Sequence, residues 1–249
     1  MIENIGPRIY NGESIYNTGA GGGGGGGDLP EGYYDGYINL AGKNYPYVSI
    51  TYNGHIYQVM ANNLDYIDEN ISEELAVASW DDRTPRSCYY NNNPSLFGPE
   101  GYNFGRLYTS RALDYLWQNR TSILGNLINE GWTFDSGIPH ILASLFSYKA
   151  YELKDLLTWK YSEDATTPNN LSKLNFQAAG KAEWVYPNKN APVFSGLGET
   201  VIIDFKHTHP GGENGYWTQL DFNSDTVNES SGSWGNFRMR YTRLARVIS

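Results

Sequence analysis

Two stretches carry side chains at metal-binding spacing. Asp204-x-x-His207-x-His209 sets a carboxylate beside two imidazoles, a donor set suited to zinc. On a strand His207 and His209 would share a face. Pro210-Gly211-Gly212 follows at once and turns the chain, which favours two solvated histidines over a metal site. Asp221-x-Asn223-x-Asp225 copies the opening of a calcium loop. Its sixth position is Thr226 where an EF-hand requires glycine, and its twelfth is Gly232 where it requires glutamate, so it is not an EF-hand. A looser calcium site and a plain polar turn both stay open there. Neither a metal nor a cofactor is expected.

Catalysis finds no support in spacing. A serine–histidine–acid set is recognised by geometry, and the four histidines His55, His140, His207 and His209 announce none. The seven glycines Gly21–Gly27 are no phosphate loop, because no Gly-Lys-Ser/Thr follows and Asp28 would repel phosphate. Recognition fits the residues better. Tyr216, Trp217, Asn223, Asp225, Trp234 and Asn236 gather around the last turns, with Phe237 beside them. Aromatic rings there could stack on sugar faces while amides and carboxylates bind hydroxyls. Alternation along Gly215–Phe222 must send part of the set into the core. Those six are the candidate ligand-binding residues.

The elements that must position them read mostly as strands. Tyr45–Tyr52, Asn53-Gly54 and His55–Met60 form a hairpin signal, since Asn-Gly supplies the positive φ values of a type I′ turn. Helical periodicity runs over Leu107–Trp117 and over Ile138–Leu157, with Pro139 where a first helical turn accepts it. Strand patterns return over Glu199–Phe205, Gly215–Phe222 and Asn236–Ile248. Strands, two helices, then strands predict an α+β fold with a segregated antiparallel sheet.

Composition narrows the partners. Net charge is −9 with a pI near 4.9, and no uninterrupted run of Lys and Arg exists to displace counterions, so nucleic acid is not an expected partner. No apolar stretch approaches 18 residues, so membrane insertion is not expected either. Charged residues are only 18% of the chain, and 21 Tyr and 28 Gly take their place, a bias that suits recognition surfaces as well as strands. Cys88 is the sole cysteine, so no internal disulfide staples the fold. The opening residues show neither a charged n-region nor an apolar core, and the expectation is a protein made in a cytoplasm that stays there or joins an assembly.

Three segments follow. Residues 1–20 form an extended arm in which Ile9-Tyr10-Asn11-Gly12 is echoed by Ile15-Tyr16-Asn17-Thr18-Gly19. Ile9, Tyr10, Ile15 and Tyr16 are apolar on a segment too short to bury them, so they are expected to anchor by docking on something else. Residues 21–30 are a glycine-rich linker, a swivel of roughly 15 Å span at about 5–6 Å × √n. Residues 31–249 are the folded domain, long enough for a full core.

Within that domain, short motifs occur in one order. Tyr57-Gln58-Val59-Met60-Ala61-Asn62-Asn63-Leu64 resembles the "QvWMAENL" opening of the Fibrobacter succinogenes major paralogous domain. Cys88-Tyr89-Tyr90-Asn91-Asn92-Asn93 resembles its "cYnNd" turn, and Tyr102–Tyr108 its "yGrLYnW" segment, with Ala112 near the family's next alanine. Gly131-Trp132 matches its "GWh" step. Asn175-Phe176, Ala178 and Gly180 echo "GFsalpaG", and Tyr241–Val247 sits where the family ends in "ysVRCVr". The family's tryptophan before Met60, its "PsdaEW" helix start near Ser136–His140 and its second cysteine near Leu244-Ala245 are absent.

The resemblance implies a C-type-lectin-like domain, shared with formylglycine-generating enzymes and with variable receptor-binding proteins of bacterial viruses. Formylglycine-type chemistry needs a cysteine pair, which Cys88 alone does not supply. Together with the arm and the swivel, the resemblance points to a non-enzymatic virion component, a head or tail fibre. Its arm would dock on capsid or tail proteins, and its distal loops would bind a host-surface glycan or protein. A homo-oligomer is expected, trimer before dimer. The alternative is a bacterial surface carbohydrate-binding protein of the same domain family. With no charge cluster in the sequence, binding is expected to depend little on salt.

Overall fold

The structure, a computed structural model, describes residues 33–79, 82–93, 104–134, 137–155, 158–160, 162–207, 214–233 and 238–248. The arm with Ile9, Tyr10, Ile15 and Tyr16 and the glycine linker lie outside the described residues, as do Trp234, Asn236 and His209.

The domain is α+β. It opens with β1 (Gly36–Leu40), β2 (Lys43–Tyr52) and β3 (His55–Met60), followed by the short β4 (Ser87–Cys88) and β5 (Leu107–Thr109). Three helices come next: α1 (Ser110–Gln118), α2 (Arg120–Leu124) and α3 (Ile138–Phe146). Seven strands close the chain: β6 (Ala179–Glu183), β7 (Val193–Leu197), β8 (Thr200–His207), β9 (Asn214–Asp221), β10 (Asn228–Ser233), β11 (Arg238–Thr242) and β12 (Ala245–Ile248).

A four-stranded antiparallel sheet runs in the order β1-β2-β3-β12. Its β2–β3 hairpin turns at Asn53-Gly54, where φ is 50° and 80°, the left-handed pair that a type I′ turn demands. The last strand returns to the first hairpin, pairing Ala245 with Val59 and Ile248 with Ile56. The larger sheet runs β10-β9-β8-β6-β11-β5-β4, with β7 on β6. It is mixed rather than purely antiparallel, because β8 lies parallel to both β6 and β11.

The helices depart from the periodicity in two places. Leu107, Tyr108 and Thr109 are strand, with all three side chains buried. The Tyr108 hydroxyl accepts from the Tyr66 amide (2.9 Å) and donates to the Tyr66 carbonyl (2.8 Å), a tertiary demand that overrides the helical pattern. The helix begins one residue later, capped by the Thr109 hydroxyl, which accepts from Ala112 N. The second run ends at Phe146 instead of Leu157. There Lys149 N turns back to Phe146 O, and Ala150 N donates to Asp225 O at 2.8 Å. Among the described residues up to Asp155, a 3-10 turn, Ala150–Glu152, follows.

The stretch read as one strand over Asn236–Ile248 is two strands in two sheets, broken at Arg243-Leu244. The break is set by Arg243, which is wholly buried. Its Nε donates to Asn63 Oδ1 at 2.8 Å, and its two terminal nitrogens donate to the carbonyls of Met60, Leu174 and Asn175. The guanidinium also lies 4.4 Å above the Phe176 ring. Every one of these hydrogen-bond acceptors is a main-chain or amide oxygen, so the charge is solvated by dipoles; burial still pulls its pKa down, to about 9.

Two apolar clusters fill the interior. One packs Val59, Leu107, Phe176, Ile203, Leu220 and Tyr241 with α3, against one face of the large sheet. The other gathers Met60, Leu64, Tyr108, Leu116, Trp132 and Leu244 around α1. No helix among the described residues is long and apolar enough to cross a membrane.

Candidate functional site

Alternation along four neighbouring strands divides the large sheet into a core face and an outer face. Ala182 of β6, Met239 of β11, Ile203 of β8 and Leu220 of β9 go inward. Their neighbours Lys181 and Glu183, Arg238 and Arg240, Ile202, and Trp217 and Gln219 turn the other way and line a groove of about 320 Å3. That volume lies at the small end for ligand pockets, and polar groups dominate the lining.

Trp217 forms one side. The Arg240 guanidinium stacks on its ring, 3.6 Å from the centroid. Burial pulls the Arg240 pKa down, to about 10, while the Asp204 carboxylate opposes the shift. The Gln219 amide nitrogen donates to both Asp221 carboxylate oxygens, at 3.1 and 3.0 Å, which fixes the orientation of that amide. On the opposite rim the Glu183 carboxylate faces Lys181 at 3.8 Å and Arg238 at 3.6 Å. Both separations are ion-pair contacts beyond hydrogen-bonding length. The site therefore offers an aromatic ring, an oriented amide and charged hydrogen-bonding groups of both signs, which is equipment for holding a polar ligand.

Of the six residues expected to bind ligand, Trp217 lies in this groove. Tyr216 is its neighbour on β9, its backbone paired with Ser231 and Lys206. Asn223 and Asp225 lie past the end of β9 at Asp221, which is itself about 13 Å along the strand from Trp217 at roughly 3.3 Å per residue. Asn223 is exposed. The Asp225 carboxylate accepts from the Thr166 amide (2.9 and 3.1 Å) and from its hydroxyl (2.6 Å), so it fastens two loops together.

The calcium-like turn already holds a cation of the protein's own. Lys154 is 1% exposed, and its Nζ donates to Ser224 O at 2.8 Å and sits 5.0 Å from the Trp159 ring. Burial pulls its pKa down to about 8, while Asp225 and Asp221 hold it up. The ammonium thus brings one positive charge into the field of both aspartates. Asp204, first of the zinc-like triad, is buried on β8, and His207 ends that strand. Among the described residues no group of three His, Cys, Asp or Glu is arranged to hold a metal. Cys88 is buried against Met239, and burial pushes its thiol up to about 12, the opposite of an activated nucleophile.

Sequence reasoning missed Lys181, Glu183, Gln219, Arg238 and Arg240. The available signal was alternation: Lys181-Ala182-Glu183 and Arg238-Met239-Arg240 both flank an apolar residue with charges, the mark of a half-buried strand. The two segments are far apart in sequence and become neighbours only through the β6–β11 pairing, Arg238 opposite Glu183. The pairing also brings Lys181 together with Arg238 and Arg240, cations that stand far from it in the sequence. No family model, curated protein or solved structure matches the chain.

Proposed function

We propose that the chain is a non-enzymatic attachment component of a bacterial virus, a head or tail fibre. In this reading its C-type-lectin-like domain binds a glycan or protein on a host or environmental surface. The observation that carries the recognition half is the groove of Trp217, Gln219, Glu183 and Arg238 on the outer face of the large sheet. The groove sets the Trp217–Arg240 stack beside an oriented Gln219 amide and the Glu183 carboxylate, polar groups of the kind that hold sugar hydroxyls.

The virion half rests on the arm of residues 1–20, the glycine run and the family resemblance. Supporting the lectin-like domain is the way the separated motif segments meet. Gly105 sits against Asn63 and Leu64, Asn175 bonds Asn62, Tyr241 bonds Ala179 O, and Thr133 bridges Ala245 beside Trp132. These segments build the frame rather than the groove, so a shared frame is compatible with a different ligand. A homo-oligomer, trimer before dimer, would multiply a weak single-site affinity.

The experiment is attachment of the full-length protein to host cells and extracted surface glycans, for wild type, Trp217→Ala and Gln219→Ala, with thermal melts alongside. Both variants should fold and bind about 1–2 kcal/mol more weakly. Folded variants with undiminished attachment would remove the groove from the account. A bacterial surface carbohydrate-binding protein would use the same groove and is separated by where the chain is found.

A further inference from the structure

We infer that the groove selects acidic saccharides, taking the ligand's carboxylate between Lys181 and Arg238. This rests on the glycan-binding reading above and adds the chemical class of the sugar. Lys181 and Arg238 are 38% and 51% exposed, and both look toward one carboxylate, Glu183. At 3.8 and 3.6 Å neither cation is hydrogen-bonded to it. Two cations sharing one anion leave an excess positive charge at this rim, on a chain whose net charge is −9. Beside a sugar-sized groove, N–H donors of Lys181 and Arg238 that meet no hydrogen-bond acceptor among the described residues match a carboxylate, to which Arg binds in a two-pronged manner. Lys181 and Glu183 sit two residues apart on β6, and Arg238 is the cross-strand partner of Glu183 on β11, so the rim is held by sheet register rather than by a loop.

Glu183 has a definite part in this. It competes with the incoming carboxylate for the same two cations, which keeps affinity modest and makes binding depend on displacing an internal ion pair. Neutral saccharides can accept hydrogen bonds from Lys181 and Arg238 but bring no charge to displace Glu183, so they gain less than an acid does. Selectivity should therefore track the ligand's charge and fall with ionic strength.

The test uses the full-length chain and three carboxylate sugars in oligosaccharide form: galacturonate, glucuronate and N-acetylneuraminate. Each is paired with its methyl ester, which keeps the shape and removes the charge, and neutral host glycans are run beside them by calorimetry. At least one acid should bind roughly tenfold more tightly than its ester, the factor expected of about one charge-assisted bonding arrangement. That preference should shrink in high salt, and Arg238→Gln and Lys181→Gln should abolish it. Glu183→Gln should tighten acid binding, a gain that loss of fold cannot mimic. Esters and acids bound equally, or a preference untouched in both cation variants, would overturn the inference while leaving glycan binding intact. Neutral glycans bound with no acid bound would do the same. If no saccharide of any kind bound, the glycan reading itself would fall with it.

Discussion

Arg243 and Asn63 are joined by a 2.8 Å hydrogen bond across 180 residues of chain. Asn63 also donates to Phe104 O at 2.9 Å, so one amide and one guanidinium tie the end of the first hairpin, the β5 entry and the closing strands. Arg243 adds the carbonyls of Leu174 and Asn175 to the same knot. The domain thus relies on a buried polar hub where a disulfide is unavailable.

Replacing that hub should be costly. Arg243→Met leaves four buried oxygens without their donor, and Arg243→Lys cannot reach them all in a fork geometry. Each variant should lose about 3–5 kcal/mol of stability, read from the denaturant midpoint. A loss under about 1 kcal/mol would show that the hub is not a major support.

Gly105 should be equally intolerant. Its φ is +76°, and an added Cβ would lie 2.7 Å from Asn63 Cβ and 2.8 Å from Leu64 O. Gly105→Ala should cost roughly 2–4 kcal/mol, from the left-handed backbone and the steric displacement together. Gly42→Ala is the control, since its φ is +79° but nothing lies within 4 Å, so only the backbone term, about 1 kcal/mol, applies.

How much of this could be read in the sequence differs by element. Asn53-Gly54 announced its hairpin because turn chemistry is local. The boundary at Thr109 was half-visible, as a Thr at the third position of a helical pattern is a capping signal, yet the strand before it exists to satisfy Tyr66 through Tyr108. The break at Arg243 was hidden, because nothing local marks an arginine as wholly buried. Trp217 was picked for its ring and lies in the groove, whereas the charges around it depend on strand pairing that no local pattern specifies. Asp225 has the side chain of a ligand-binding residue, and its bonds to Thr166 depend on a loop that no local pattern places beside it.

Lys154 makes a pH prediction. Its pKa is about 8 in the fold and about 10.4 in an unfolded chain. Between those values the unfolded state binds more protons, so this group makes stability rise with pH. Relative to Lys154→Met, wild type should gain about 1–3 kcal/mol from pH 7.5 to 10 in urea melts. Tyr108 and Tyr241, pushed well above the usual tyrosine range by burial, act oppositely above about pH 10 but are common to both proteins and cancel. Parallel pH profiles for the two proteins would show that the lysine is not held as described.

Removal of residues 1–20 separates anchoring from folding. The described residues of both apolar clusters lie beyond the glycine run, and an arm of this length has no core of its own, so the truncated chain should melt within about 2 °C of full length. It should nevertheless fail to enter particles. Normal incorporation would show that Ile9, Tyr10, Ile15 and Tyr16 do not anchor it.

Mass spectrometry of density-purified virus particles, from a culture producing this chain, addresses the central claim most directly. Peptides from the domain should be present at a fixed ratio to the capsid proteins and enriched over the lysate. Particles free of the polypeptide, with the chain recovered instead from the bacterial surface, would contradict the account.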